Sequence, residues 1–323
     1  MKAATYRRYG PPSVVTVAQV PKPVAKQNEV LIRVRATTVT TGDWRARSLQ
    51  MPPGFGFMGR LVFGILGPRQ PILGTELAGV IEAVGAAVSQ FKIGDEVFAF
   101  PGARFGSHAE YRTMPEDGLI ALKPANLSFE EAAALSFGGT MVLGPLRDRI
   151  GIKPGHKVLV VGASGGVGTA AVQIAKHLGA EVTGVCSTAN ADLVRSIGAA
   201  RVIDYTSEDF AQLGESWDVI VDTTGSAPFL RCEPVLRSGG HLLVILGSFG
   251  DITGLRRPSK ASTKTVIAGG GRIDAQNLRD LANLAKIGAY RPVIDRIYPL
   301  ELAAEAHAYV DTGRKRGSVV LSV

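Results

Sequence analysis

Over residues 157–168 the hydrophobic pattern of the chain changes period. Val158-Leu159-Val160-Val161 is an unbroken apolar run, the mark of a strand buried on both faces. It ends in the turn Gly162-Ala163-Ser164-Gly165-Gly166-Val167-Gly168. Beyond the turn, apolar residues recur at Val167, Ala171, Ile174, Ala175 and Leu178, a spacing of three to four that predicts a helix with one buried stripe. The alternation then continues. Strands are expected over 181–185, 201–204, 217–223, 241–246 and 265–268. Helices are expected over 192–197, ended by Gly198, and over 228–236, ended by Gly239-Gly240. Strands alternating with helices at this length predict a parallel α/β sheet with helices on both faces, joined by right-handed crossovers.

The flanking segments have another texture. Short strands are expected over 29–35, 79–84, 96–99 and 108–113, with Gly94-Asp95 as a tight turn, and the first eight residues read as a polar strand. After residue 273 come two helical faces, Leu278-Leu281-Leu284-Ala285 and Ala303-Ala306-Tyr309, and a closing strand over 318–323. The expected organisation is a β-rich domain built from residues 1–124 plus 271–323, into which residues 125–270 insert the parallel sheet.

The glycine turn carries chemistry. Gly162 permits a tight turn, Gly165 and Gly166 let backbone approach a pyrophosphate, and Gly168 lets the helix close on the strand. The spacing is Gly-x-x-Gly-Gly-x-Gly, with Ser164 at the usual second glycine. Strand, turn and helix together form a Rossmann dinucleotide site, with phosphates on the free N–H groups at Gly165, Gly166 and Val167. Ligands of such sheets lie at the carboxyl ends of the strands, which adds Ser187, Tyr205, Thr224, Gly225, Leu246 and Gly247-Ser248 to the crevice. An NAD site carries an acid after the second strand. Here Cys186-Ser187-Thr188-Ala189-Asn190 has none, and the next acid, Asp192, falls in the following helix. NADPH is therefore the expected cofactor over NADH, its 2′-phosphate meeting Ser187 and Tyr205, with positive charge from Arg195, Lys176 or the run Arg314-Lys315-Arg316, of which Arg316 is the assigned ligand.

Composition narrows the alternatives. The chain has 323 residues and a formal charge of +8, which suits an anionic partner. Its cations are dispersed apart from Arg314-Lys315-Arg316 and do not interleave with aromatics, so no nucleic-acid partner is expected. Two cysteines, Cys186 and Cys232, suggest a reduced core. The start of the chain has no apolar signal core, and a cytoplasmic protein is expected.

The sequence resembles the medium-chain dehydrogenase/reductase superfamily over essentially its whole length. The resemblance rests on Gly74-Thr75-Glu76-Leu77-Ala78-Gly79, where threonine replaces the histidine of a Gly-His-Glu signature, on Gly94-Asp95-Glu96-Val97 and on Gly106-Ser107-His108-Ala109-Glu110-Tyr111. Val185-Cys186-Ser187, Ile203-Asp204-Tyr205 and Arg291-Pro292-Val293-Ile294 point to the zinc-independent quinone oxidoreductase branch, including its reticulon-interacting members. The resemblance implies a GroES-like catalytic domain around the Rossmann unit and a homodimer joined edge to edge at strand 265–268.

Where zinc-dependent members place a cysteine and a histidine, this chain has Thr40 and Thr75, neither a competent ligand, so no metal is expected. Without a Lewis acid, hydride transfer suits a small apolar quinone or α,β-unsaturated carbonyl, whose conjugated system spreads the developing charge. Family position puts Thr140 near the nicotinamide and Thr40, Asp43, Trp44 and Thr75 on the substrate cleft. Asp43 serves equally well as a helix cap, and Trp44 as domain core. An enoyl-thioester reductase is a second reading, weakened by the lack of tyrosine between Tyr9 and Tyr111, and a catalytically silent NADPH-binding protein a third. The apolar segment 51–68 is too short and interrupted to span a bilayer and reads as a flap over the local core, as a lid on the cleft, or as a surface that meets a lipid-soluble quinone, its placement between two cleft-forming motifs favouring the lid.

Overall fold

The computed structural model describes residues 1–247, 263–269 and 273–323. In chain order its strands and helices are β1 (Lys2–Thr5), β2 (Thr16–Gln19), β3 (Glu29–Val39), α1 (Thr41–Ser48), α2 (Gly56–Phe63), β4 (Leu77–Val84), β5 (Glu96–Ala99), β6 (Tyr111–Pro115) and β7 (Ile120–Leu122). There follow α3 (Phe129–Ala133), α4 (Leu135–Gly144), β8 (Lys157–Val161), α5 (Gly166–His177), β9 (Glu181–Cys186), α6 (Ala191–Ser196), β10 (Arg201–Asp204), β11 (Trp217–Asp222), α7 (Phe229–Cys232), β12 (Leu236–Val244) and β13 (Thr265–Ala268). The chain closes with α8 (Ala275–Lys286), β14 (Ile294–Pro299), α9 (Ala303–Asp311) and β15 (Ser318–Ser322).

The inserted unit is a six-stranded sheet in the order β10-β9-β8-β11-β12-β13, parallel throughout. This is the doubly wound Rossmann order, with its reversal between β8 and β11. The unbroken apolar run of β8 has a simple cause. Val158 and Val160 face one core with Val219, Val221 and Leu243, while Leu159 and Val161 face the other with Ile220, Leu242 and Val244. Both faces are buried, so no polar alternation survives.

The second sheet has seven strands in the order β14-β15-β3-β4-β5-β7, with β6 also pairing β3. Its spine is β3, which pairs β4, β6 and, through Val39 to Ala36, the terminal strand β15. The two ends of the chain therefore meet in one sheet, and the Rossmann unit is the insertion between them. Among the described residues no helix is long and apolar enough to cross a membrane.

Several elements differ from expectation. The helix expected over 228–236 is the single turn α7 followed by a 3-10 turn, and Leu236 already belongs to β12. Gly239, at φ +75°, makes a bulge inside that strand where a helix stop was expected. The strand expected over 108–113 runs from Tyr111 to Pro115, leaving His108 in a buried turn. Helices α3 and α4 went unread because their small residues give no clear period. Gly138 explains the composition, since a Cβ there would stand 2.7 Å from the Gly166 carbonyl. Helix α8 shares a core with α4 and α5 through Leu278, Leu281 and Ala285. Ser248 and the boundary at 270–271 lie outside the described residues.

Candidate active site

The carboxyl ends of β8, β9 and β11 face the end of β3 and α1 across a cavity of about 710 Å³. Its cofactor side starts with the glycine turn. Gly162 sits at φ +79°, and a Cβ there would lie 2.4 Å from Thr224 Cγ2; Gly168 would place one 2.0 Å from the Gly162 carbonyl. Neither position admits a side chain, which holds the helix against the strand end. The N-terminus of α5, at Gly165, has no side-chain cap and opens into the cavity. The N–H groups of Gly166 and Val167 remain available to a pyrophosphate, while that of Gly165 donates to the Gly162 carbonyl at 3.1 Å.

A residue that motif reading passed over completes this corner. Lys315 is half-buried, its Nζ donates to the Gly317 carbonyl at 2.7 Å, and it lies 3.2 Å from where a Cβ on Gly166 would stand. Burial pulls its ammonium down to about 8, against the opposing pull of Asp295 and Glu76. An ammonium over an uncapped helix start is a cation aimed at a phosphate position. The Gly165–Gly317 bridge fixes the relation of the two loops. Its sequence signal was the basic run Arg314-Lys315-Arg316, all three of which line the cavity.

At the adenosine end Cys186, Ser187, Ala189, Asn190 and Tyr205 line the wall, with Arg316. The Asn190 amide donates to Ser164 Oγ at 3.1 Å and to Ser187 Oγ at 3.4 Å. Asp204, one residue before Tyr205, is held below the usual carboxylate range by hydrogen bonds from Thr188 and Thr206 and lies outside the lining. Arg195 pairs with Asp192, and the Lys176 side chain packs over Gly198, so neither reaches the cavity. Thr223 and Thr224 line it at the end of β11. Gly225 and Leu246 stand just behind, the glycine at φ +80° with its would-be Cβ 3.1 Å from the Leu246 carbonyl. Buried Asp222 organises this corner by accepting from the N–H groups of Thr224, Gly225 and Ala227.

The opposite wall is built from side chains. Thr40 and Trp44 line the cavity; Asp43, Thr75 and Thr140 do not. Asp43, fully buried, accepts from Thr40 N at 2.8 Å, Thr40 Oγ1 at 2.6 Å and Gly74 N at 2.8 Å, in a capping box at the start of α1. Since Asp43 takes the proton of Thr40, the 3.2 Å contact between Thr40 Oγ1 and Thr75 Oγ1 has Thr75 as donor. These residues position one another. The Thr140 hydroxyl donates to the Ser136 carbonyl at 2.7 Å, back along α4, leaving Phe137 and Gly138 as the lining residues of that helix. His108 is fully buried and bonded to the Thr38 carbonyl at 2.9 Å.

Glu76 lies at the floor. Its carboxyl accepts from Thr38 Oγ1 and from Phe137 N, both at 2.5 Å, and so ties β3 to α4 across the domain junction. Burial pushes it up to about 8, only partly offset by those two donors. At neutral pH it is mainly protonated, which limits the cost of a buried carboxyl. Among the described residues no group of three or more His, Cys, Asp or Glu converges on a metal position.

A parallel sheet in the Rossmann order, a glycine turn opening on a deep crevice, and a second domain made from both chain ends define a two-domain nucleotide-dependent oxidoreductase. Comparison with known proteins agrees. Residues 26–124 match the alcohol dehydrogenase GroES-like domain, residues 197–321 the model described as zinc-binding dehydrogenase, and residues 131–230 the alanine dehydrogenase/PNT C-terminal domain. The chain is 33% identical to the 2-methylene-furan-3-one reductase of Solanum lycopersicum, over 99% of this chain and 79% of that protein. It is 32% identical to the mitochondrial NAD(P)H oxidoreductase RTN4IP1 of Homo sapiens, over 92% and 82%. A solved quinone oxidoreductase from Coxiella burnetii superposes with a TM-score of 0.88 at 28% identity, covering 100% of this chain and 99% of that one. The chain belongs to the medium-chain dehydrogenase/reductase superfamily, in its quinone oxidoreductase branch.

Proposed function

We propose that the protein is an NADPH-dependent, zinc-independent reductase of quinones or α,β-unsaturated carbonyls. The observation that carries this reading is the cavity of about 710 Å³ that joins the glycine turn to the Thr40–Trp44 wall in one continuous space. Its relatives include one named for a methylene-furanone and one for quinones.

When bound, NADPH supplies a hydride, and the chain supplies position and a dry site. The N–H groups of Gly166 and Val167, with Lys315, hold the pyrophosphate, and Ser187, Asn190, Tyr205 and Arg316 surround the 2′-phosphate. No acid at the end of β9 repels that phosphate. Trp44 and Phe137 supply apolar faces on which a conjugated ring stacks. Thr40, held by Asp43 and Thr75, keeps its oxygen at the cavity wall for the acceptor's polar end, and solvent returns the proton after transfer. A thiolate and an imidazole at positions 40 and 75 would make a metal site; two hydroxyls that bond each other do not.

The test is NADPH oxidation by purified protein against quinones, enals, enones and enoyl thioesters, with zinc measured on the same sample. Turnover of quinones or enones with less than about a tenth of an equivalent of zinc is the expected result. Turnover of enoyl thioesters alone, stoichiometric zinc, or tight NADPH binding without turnover of any acceptor overturns it. The assembly we propose is a homodimer through β13, which pairs only β12 among the described residues and so presents an edge. Sedimentation velocity tests it, a monomer at micromolar concentration being the contrary result.

A further inference from the structure

The apolar segment 51–68 gives only part of itself to the fold. Phe63 packs on Phe105 with ring centroids 6.0 Å apart, and Gly59, four residues earlier on the same side of α2, closes on Met51. Phe57, Met58, Leu61 and Val62 turn the other side to solvent, and Ile65 and Leu66 extend the patch. Phe57 is 79% exposed and Leu66 104%. Solvated apolar patches of this kind mark an interaction surface.

The surroundings of the patch indicate its partner. No Asp or Glu lies between Asp43 and Glu76, while Arg60 and Arg69 flank the exposed residues. Two more arginines reach the same neighbourhood: Arg7, whose carbonyl would lie 3.5 Å from a Cβ on Gly67, and Arg104, whose carbonyl accepts from Gln70 at 3.2 Å. All four are exposed, and among the described residues none takes part in an ion pair.

We propose that this face docks on an anionic lipid bilayer, with Phe57, Leu61 and Leu66 entering the acyl boundary and the arginines meeting the headgroups. Apolar side chains flanked by arginines are the composition of an interfacial helix, and α2 is too short to do more than lie in the interface. A second copy fits poorly, because a symmetric contact would press two copies of this arginine-bearing segment together with no acid from residues 44–75 to pair them. The proposal is independent of the substrate reading, since its readout is binding.

Cosedimentation of the intact protein with vesicles of phosphatidylcholine, alone or mixed with phosphatidylglycerol, tests it. Binding should be at least about tenfold tighter to the mixed vesicles and should weaken with salt. The triple variant Phe57→Ser/Leu61→Ser/Leu66→Ser changes only exposed positions and should lose at least about tenfold of that binding. A Phe57→Trp variant should shift its emission to the blue with anionic vesicles only. No vesicle binding, equal binding by the triple variant, or an assembly in solution that dissociates in the triple variant would each overturn the proposal, the last in favour of a second copy.

Discussion

The two walls of the cavity solve the problem of building a site in opposite ways. The cofactor wall is mostly backbone: a turn at φ +79° and an uncapped helix start from one contiguous segment, with the ends of neighbouring parallel strands beside them. The substrate wall is mostly side chains gathered from separate segments, with Thr40, Asp43, Gly74 and Thr75 in one hydrogen-bonded set and Glu76 bridging to Phe137. A backbone site tolerates little steric change but many changes of side chain. A side-chain site fails when one member leaves its partners buried and unpaired.

That contrast can be broken at either wall. The largest effect belongs to Gly168→Val, which forces side-chain atoms against the Gly162 carbonyl, 2.0 Å from where a Cβ would stand. Destabilisation of about 3 kcal/mol or more is expected. Chemical denaturation should reveal it, together with loss of saturable NADPH binding. Asp43→Ala comes next, because it strands the N–H groups of Thr40 and Gly74 in a buried setting. A cost of about 3 kcal/mol follows from two unsatisfied donors. Variant protein that remains folded should lose turnover while keeping NADPH affinity; weakened NADPH binding instead would erase the division between the walls.

Smaller effects sharpen the comparison at Lys315 and Ser187, two side chains that line the cavity. Lys315→Met should weaken NADPH binding about tenfold, or about 1.4 kcal/mol. Burial lowers the Lys315 ammonium to about 8, so its charge is present below that pH and lost above it. Affinity of the unmodified protein should therefore fall as pH rises through about 8, and fluorescence titration should find this step missing in Lys315→Met. Ser187→Asp should invert the cofactor order, from NADPH favoured at least about tenfold to NADH favoured, since a carboxylate would then face the 2′-phosphate. Equal affinities in the unmodified protein would remove the argument from the missing acid.

The sequence by itself determined what is local. The glycine turn, the parallel alternation and the lack of an acid after β9 all follow from residues close in the chain, because period and turn chemistry act over one or two elements. Strand β13 was legible to the residue. What only the tertiary structure decided depends on segments far apart. Position in the family had put Asp43 on the substrate cleft and Thr140 near the nicotinamide; packing makes the first the N3 member of the capping box of α1 and bonds the second to its own helix. Lys315 read as one of three cations offered to the 2′-phosphate; the Gly165–Gly317 bridge sets it, half-buried, over the start of α5. The exposed side of α2 was equally hidden, since an apolar stretch carries no mark of which residues will find a partner. Burial is a property of neighbours, and those neighbours arrive only when the chain closes.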